Sequence, residues 1–315
     1  PLISVERAIL FGGASDNRID TSAFFSAGQT SVTLRGHSGN DTLIGSDIND
    51  ALLGDAGNDT IDGRAGNDNL SGAAGRDILI GGDGNDRLRG QGSSFDTLIG
   101  GLGDDTLDGG AGTDVVMESG NVDFILTASS LTGLGTDTII RVETAHLIGG
   151  DGDNTIDISG FVPTYPPTLD GGTGNDQLTG SSFMDLLRGQ GGNDTLTGGG
   201  GNDFLQGGAG DDQLLGGDGT DGLSGGSGDD TLFGQLGDDI AYGGSGDDSI
   251  RGEAGSDTIF GGADSDDVDG GVDTDQVAGG SGEGSADAGD VVTGLAEEID
   301  EAFQLTPVPN WVKES

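Results

Sequence analysis

The chain has 315 residues, with 56 acidic against 11 basic side chains, a formal net charge of −45 at pH 7, and 68 glycines. No basic stripe exists to neutralise phosphates, so nucleic acid is excluded as a partner, and the charge opposes attachment to anionic membranes. There is no cysteine, which removes disulfides and thiolate metal sites, and no apolar run approaches the roughly 18 residues of a membrane span.

In chain order, the sequence opens at Pro1 with no leader, which reads as a piece of a longer chain. Residues 5–24, VERAILFGGASDNRIDTSAF, return as residues 142–161, VETAHLIGGDGDNTIDISGF, with twelve of twenty identical. Each copy contains one weakened nine-residue unit, with Asn17 or Asn154 at its sixth place and Ile19 or Ile156 at its eighth. Each leads through a Thr-Leu pair (Thr33-Leu34, Thr168-Leu169) into a longer array. The expected organisation is two tandem modules. Connector coils cover 1–35, a first array 36–117, a second connector 118–170, a second array 171–278, and a cap 279–315. Within the second connector, DFILT and DTIIRV predict a hairpin, and VPTYPP a loop near 162–167.

The arrays repeat every nine residues. Nine units run from Gly36 to Met117 and twelve from Gly171 to Ala278, as in GDAGNDTID and GGSGDDTLF. The unit at 90–99, GQGSSFDTLI, carries one extra residue. Gly opens every unit, Asp holds every sixth place, and an apolar residue, mostly Leu, holds every eighth. Low hydrophobicity with high net charge ordinarily predicts disorder, but such regular spacing points to a repeat architecture. Gly, Asn and Asp at the first six places predict a turn. The last three places favour a strand whose middle residue alone faces inward. Two units then make one coil of about 18 residues, and units i and i+2 stack at ~4.8 Å.

Stacking aligns the sixth-place aspartates in two columns. Neighbouring carboxylates at ~4.8 Å repel by ~1 kcal/mol in water and ~3–4 kcal/mol at an effective dielectric of 20. One inward apolar residue in nine cannot offset this repulsion together with the entropy of ordering. A cation that binds only the folded chain can. Carboxylate and carbonyl oxygens favour Ca²⁺ over Mg²⁺. Zinc lacks ligands, since the chain has two histidines and no cysteine.

These units resemble the hemolysin-type (RTX) calcium-binding nonapeptide repeat, GGxGxDxUx. The resemblance implies an all-β fold, a parallel β-roll (right-handed β-solenoid) of calcium-binding repeats. It implies that turns of units i and i+2 clamp each Ca²⁺ between glycine-turn carbonyls and sixth-place carboxylates. The implied ligands of the first array are Asp41, Asp50, Asp59, Asp68, Asp77, Asp86, Asp96, Asp105 and Asp114. Those of the second are Asp176, Asp185, Asp194, Asp203, Asp212, Asp221, Asp230, Asp239, Asp248, Asp257, Asp266 and Asp275. One site per i, i+2 pair gives about 17 ions. Some units depart from the pattern: Arg76 beside Asp77 is expected to weaken that site. Phe183 and Met184 replace turn residues before Asp185, and Asp264 and Asp273 take the fourth-place Gly. The resemblance also implies export as an unfolded chain and folding outside the cell.

Beyond the arrays, Val292, Leu295, Ile299 and Phe303 recur at helical spacing, which predicts a short C-terminal capping helix or part of an export signal. No catalytic constellation emerges. GLSGG at 222–226 matches a nucleophile-elbow pattern, but it falls across a unit boundary where the register already explains it. His37 and His146 read as surface imidazoles. At the ninth place, Leu215 with Phe233 and Tyr242 with Phe260 are expected to stack on opposite outer faces. The expected role is a calcium-stiffened structural or adhesive module of a larger secreted or cell-surface bacterial protein, not an enzyme. The alternative is the non-catalytic C-terminal domain of a secreted protease, lipase or polysaccharide epimerase. Calcium is the expected partner, with no nucleic acid and no membrane insertion; a cell-surface or polysaccharide partner is a further option.

Overall fold

The computed structural model describes residues 7–23, 31–92, 94–278 and 291–292, and divides into two units, 1–171 and 172–315. Among the described residues all regular structure is β. Each unit is a parallel β-solenoid in which alternate strands along the chain enter two different sheets.

In the second unit one sheet stacks Gln177–Thr179, Thr195–Gly200, Gln213–Asp218, Thr231–Leu236, Ser249–Ala254 and Asp267–Val272, all parallel. The other stacks Leu186–Gly191, Phe204–Ala209, Gly222–Ser227, Ile240–Ser245, Thr258–Ala263 and Gln276–Ala278 in the same way. Registers are in phase with the repeat, so Leu214 lies against Leu232, and Leu232 against Ile250. The core is therefore a ladder of one eighth-place residue per unit. Leu196, Leu214, Leu223, Leu232, Ile250 and Ile259 have no exposed surface.

The expected three-residue strand is too short. Thr231–Leu236 is six residues long and typical. Its alternation of half-buried and buried residues continues across the unit boundary, so Gly234, the opening residue of the next unit, also faces inward. The opening glycine thus completes the strand, and the turn is confined to the places after it. The ninth-place pairs stack as expected, with Leu215 against Phe233 in one sheet and Tyr242 against Phe260 in the other.

The first unit follows the same plan from Arg7–Phe11 and Arg18–Asp20 onward. The connector strands pair parallel with the array: Ile9 lies against Thr33, and Ile19 against Leu43. After the array one sheet departs from the parallel rule. Thr136–Ile140, Ser130–Thr132 and Phe124–Thr127 form an antiparallel meander, the expected hairpin extended by one strand. Thr155–Gly160 then resumes parallel pairing on Phe124–Thr127. In the other sheet Val115–Ser119 passes directly to Thr144–Ile148. The insertion of three strands is accommodated on one side only.

Two expectations need correction. His146 is half-buried rather than fully at the surface: its Nε2 lies 2.8 Å from Asp170 Oδ2, and its side chain is 26% exposed. Val292, at a place where the spacing predicts a helix, lies instead in the strand Val291–Val292, which pairs parallel to Gln276–Ala278. The rest of the expected capping helix, including Leu295, Ile299 and Phe303, lies outside the described residues.

Candidate metal centre: the aspartate columns

Each sixth-place aspartate ends a turn and starts a strand, and its backbone and side chain are used separately. Its carbonyl accepts from the first strand residue of the coil above, as in Thr231 N to Asp212 O at 2.8 Å. Its backbone N–H donates to Oδ1 of the next aspartate in the column. In the second unit Asp194, Asp212, Asp230 and Asp248 are linked in this way, at 2.7 to 2.8 Å. Asp185, Asp203, Asp221, Asp239, Asp257 and Asp275 form the companion column. In the first unit one column runs Asp41, Asp59, Asp77, Asp96 and Asp114, and the other Asp50, Asp68, Asp86 and Asp105. The extra residue of the unit at 90–99 is absorbed in its turn. Asp77 still reaches Asp96 at 2.9 Å, and Thr97 still lies against Ile78.

The second carboxylate oxygen is the distinctive feature. The sixth-place aspartates are buried, with exposures of 0 to 4%. Oδ2 of every one from Asp41 to Asp114 except Asp50, and of every one from Asp194 to Asp257, is buried with no hydrogen-bonding partner. An orphaned carboxylate oxygen is costly, and native proteins seldom tolerate one. Burial, with the like charges of column neighbours, pushes the Asp68 and Asp203 carboxyls up to about 8. The same causes push Asp212, Asp230, Asp239 and Asp248 up to about 7.

The orphan oxygens point into a cradle lined by main chain. A Cβ placed on Gly207 would stand 2.3 Å from Asp212 Oδ2 and 2.7 Å from the Gly225 carbonyl oxygen; on Gly36 it would meet Asp41 Oδ2 at 2.2 Å and Gly54 O at 2.8 Å. The opening glycine is thus required by the carboxylate folded over it, and it lets the orphaned Oδ2 and a main-chain carbonyl oxygen of the next coil converge. Among the described residues no three His, Asp or Glu side chains gather as a metal site. Any cation held here would need main-chain carbonyls beside the carboxylates, a donor set that suits a hard cation of flexible coordination.

The turns themselves need left-handed backbone at the second and fourth places. Glycine supplies it at Gly208 (φ 123) and Gly210 (φ 123). Elsewhere other residues are held there, as at Asp55 (φ 76) and Gln190 (φ 78), and Asp264 (φ 77) and Asp273 (φ 88) keep the turn without the fourth-place Gly. Fifth-place side chains form an outer ladder of opposite sense: Asp211 N donates to Asn193 Oδ1, and Asp229 N to Asp211 Oδ1, both at 3.0 Å. Arg76 does not load its charge onto Asp77. Its guanidinium stands 4.9 Å over the Phe95 ring, and Asp77 is raised to about 7 by burial and by Asp96 and Asp59.

The columns also continue past the first array through residues not anticipated there. Asp105 N donates to Asp137 Oδ1 at 2.9 Å, and Asp114 N to Glu143 Oε2 at 2.9 Å. Glu118 follows the last unit at the place of an opening glycine. Its buried Oε1 accepts from Gly100 N at 2.5 Å and Gly101 N at 3.1 Å, and burial pushes its carboxyl up to about 7. A signal for Asp137 was present: TGLGTDTII, 132–140, is a full unit with Thr where the opening Gly belongs. In the connectors Asn17 and Asn154 hold the sixth place. Each accepts through Oδ1 from the second-place N–H of its own turn.

The family model of the RTX calcium-binding nonapeptide repeat (4 copies) matches overlapping segments that together cover residues 35–117 and 168–285, more than half of the chain. The chain belongs to this family. RTX repeats bind calcium, and the columns of buried aspartates are where this RTX chain has oxygen to offer. No curated protein matches the chain.

Proposed function

We propose that the sixth-place aspartates with an orphaned Oδ2 are the calcium ligands of this RTX chain, each through that oxygen, together with turn carbonyls. The observation that supports this most directly is the run of buried Oδ2 atoms that no protein group satisfies, as at Asp203 and Asp212. Bound calcium would supply positive charge and coordination to those oxygens. The chain's own part is to hold each Oδ1 on the neighbouring N–H and to keep the cradle open with an opening glycine. Occupancy would then be coupled to folding, because the cradle exists only when coils are stacked. A site for each pair of stacked turns gives about 17 ions as an upper figure.

At the level of the whole protein, the reading is a calcium-stiffened structural or adhesive module of a larger secreted or cell-surface bacterial protein. The duplicated connector and the absence of a catalytic constellation from the sequence favour it. The alternative, a non-catalytic C-terminal domain of a secreted enzyme, is separated from it by the sequence preceding Pro1: further connector copies support the first, a catalytic domain the second.

The test of calcium-coupled folding is circular dichroism of the chain in EGTA, followed by calcium titration. The expected result is loss of β signal in EGTA and its recovery at calcium of ~10⁻⁴–10⁻³ M, the range of extracellular modules. Equal β signal and equal protease resistance with and without calcium would overturn the reading.

A further inference from the structure

Among the sixth-place aspartates from Asp41 to Asp114 and from Asp185 to Asp257, two do not share the orphan oxygen. Asp50 and Asp185 are as buried as the others, at 4% and 1% exposure. Their Oδ2 atoms nevertheless have donors. Asp50 Oδ2 accepts from Ser46 N at 2.6 Å and Ser46 Oγ at 2.9 Å. Asp185 Oδ2 accepts from Ser181 N at 2.5 Å and Ser181 Oγ at 3.0 Å.

The backbone explains the difference. In open turns the second-place residue has positive φ whatever its side chain, as at His37 (φ 80), Arg64 (φ 78) and Gly226 (φ 121). Ser46 and Ser181 are not among the positive-φ residues, and neither are Ile48 and Phe183 at the fourth place of the same turns. With the second place out of the left-handed region, its N–H meets the carboxylate of its own turn. The connectors use the same closed form: Gly13 N donates to Asn17 Oδ1 at 2.6 Å, and Gly150 N to Asn154 Oδ1 at 2.7 Å. A neutral amide is sufficient there, so the closed turn does not need a charge at its sixth place.

The two closed turns are also placed alike. Ser46 and Ser181 each stand in the second unit of an array. Asp50 is the first acidic member of its column, where its Oδ1 accepts from Val32 N at 2.9 Å. Asp185 heads its column within the second unit.

We propose that the turns at 45–50 and 180–185 take no calcium, because serine supplies the donors that a cation would otherwise replace. Each array then contains one metal-independent turn near its start, onto which the calcium-requiring turns add. This rests on the reading of the open-turn aspartates as calcium ligands. The physical ground is that the closed turns have no orphaned oxygen to stabilise, while solenoid order spreads between nearest neighbours from any coil already formed.

The test is made on the full chain by equilibrium dialysis with calcium and by the calcium midpoint of the β signal. Asp50→Asn with Asp185→Asn is expected to keep the wild-type number of bound ions. Asp203→Asn with Asp212→Asn is expected to lose ions. Ser46→Gly with Ser181→Gly keeps both carboxylates and removes their hydroxyl donors, so its midpoint is expected to move to higher calcium; it decides the matter if the first pair fails to fold. Loss of as many ions from the first pair as from the second, or a serine variant that titrates as wild type, overturns the proposal. Wild type measured alongside separates the two failures: if it takes up no calcium, the ligand reading itself has failed.

Discussion

The backbone N–H of Asp212 donates to Oδ1 of Asp230, 2.8 Å away and 18 residues further along the chain. Asp212 accepts in turn from Asp194 N through its own Oδ1, and its Oδ2 is left without a protein donor. Asp212→Ala is expected to leave Asp194 N without its acceptor and to remove one ligand, at a cost of about 1–3 kcal/mol. Because solenoid energetics are mostly nearest-neighbour, the loss should be local. Hydrogen exchange in calcium should rise around 194–230 and stay near wild type in the first array. Loss of all calcium binding from this one change would contradict the reading.

Acidity should substitute in part for calcium. The folded-state pKa values of Asp68, Asp203 and Asp212 are raised to about 8, 8 and 7, against about 3.9 in an unfolded chain. The folded chain thus binds more protons than the unfolded chain between these limits, and stability falls as pH rises through that window. In EGTA, β signal should increase as pH is lowered from about 8.5 to about 4.5. With calcium present the same protons compete for the ligands, so the calcium midpoint should move upward on acidification. A β signal in EGTA that is flat or falls on acidification would remove the burial argument.

Two glycines should respond oppositely to alanine. A Cβ on Gly207 would come within 2.3 Å of Asp212 Oδ2 and 2.7 Å of Gly225 O, while one on Gly191 meets nothing within 4 Å. Gly207→Ala is expected to destabilise by about 1–3 kcal/mol through overpacking of the cradle. Gly191→Ala is expected to be neutral or to stabilise by about 0.4–1 kcal/mol through the unfolded chain. Thermal melts in saturating calcium distinguish them. Equal melting temperatures for the two variants would show that the cradle yields.

Asp137 should behave as an array aspartate although it lies outside the array. It accepts from Asp105 N at 2.9 Å and is 3% exposed. Asp137→Ala should cost about 1–3 kcal/mol, with loosening centred on 100–110 in hydrogen exchange. A neutral Asp137→Ala would mean that the column ends functionally at Asp105.

How far the sequence carried the structure depends on where the period held. Leu214, Leu232 and Ile250 face inward because one apolar residue recurs in each nine, and the Asp columns follow from the same count. The inward role of Gly234 was not legible, because glycine at a unit's start reads first as a turn residue and only packing shows it to be a strand residue. Asp137 and Glu143 were missed because Thr132 replaces an opening glycine and Glu stands for Asp, which breaks the letters and not the geometry. The closed turns at Ser46 and Ser181 follow from a backbone choice at one residue, and a serine among glycines carries no such message by itself.

The aspartate-to-aspartate bonds of the arrays join residues only 18 or 19 apart, and the strand pairs keep the same spacing. No segment of an array has to wait for a distant one before it can pair. Such a chain would order one coil at a time outward from whichever coil forms first, so a break in one coil would halt growth there without undoing the coils already laid down.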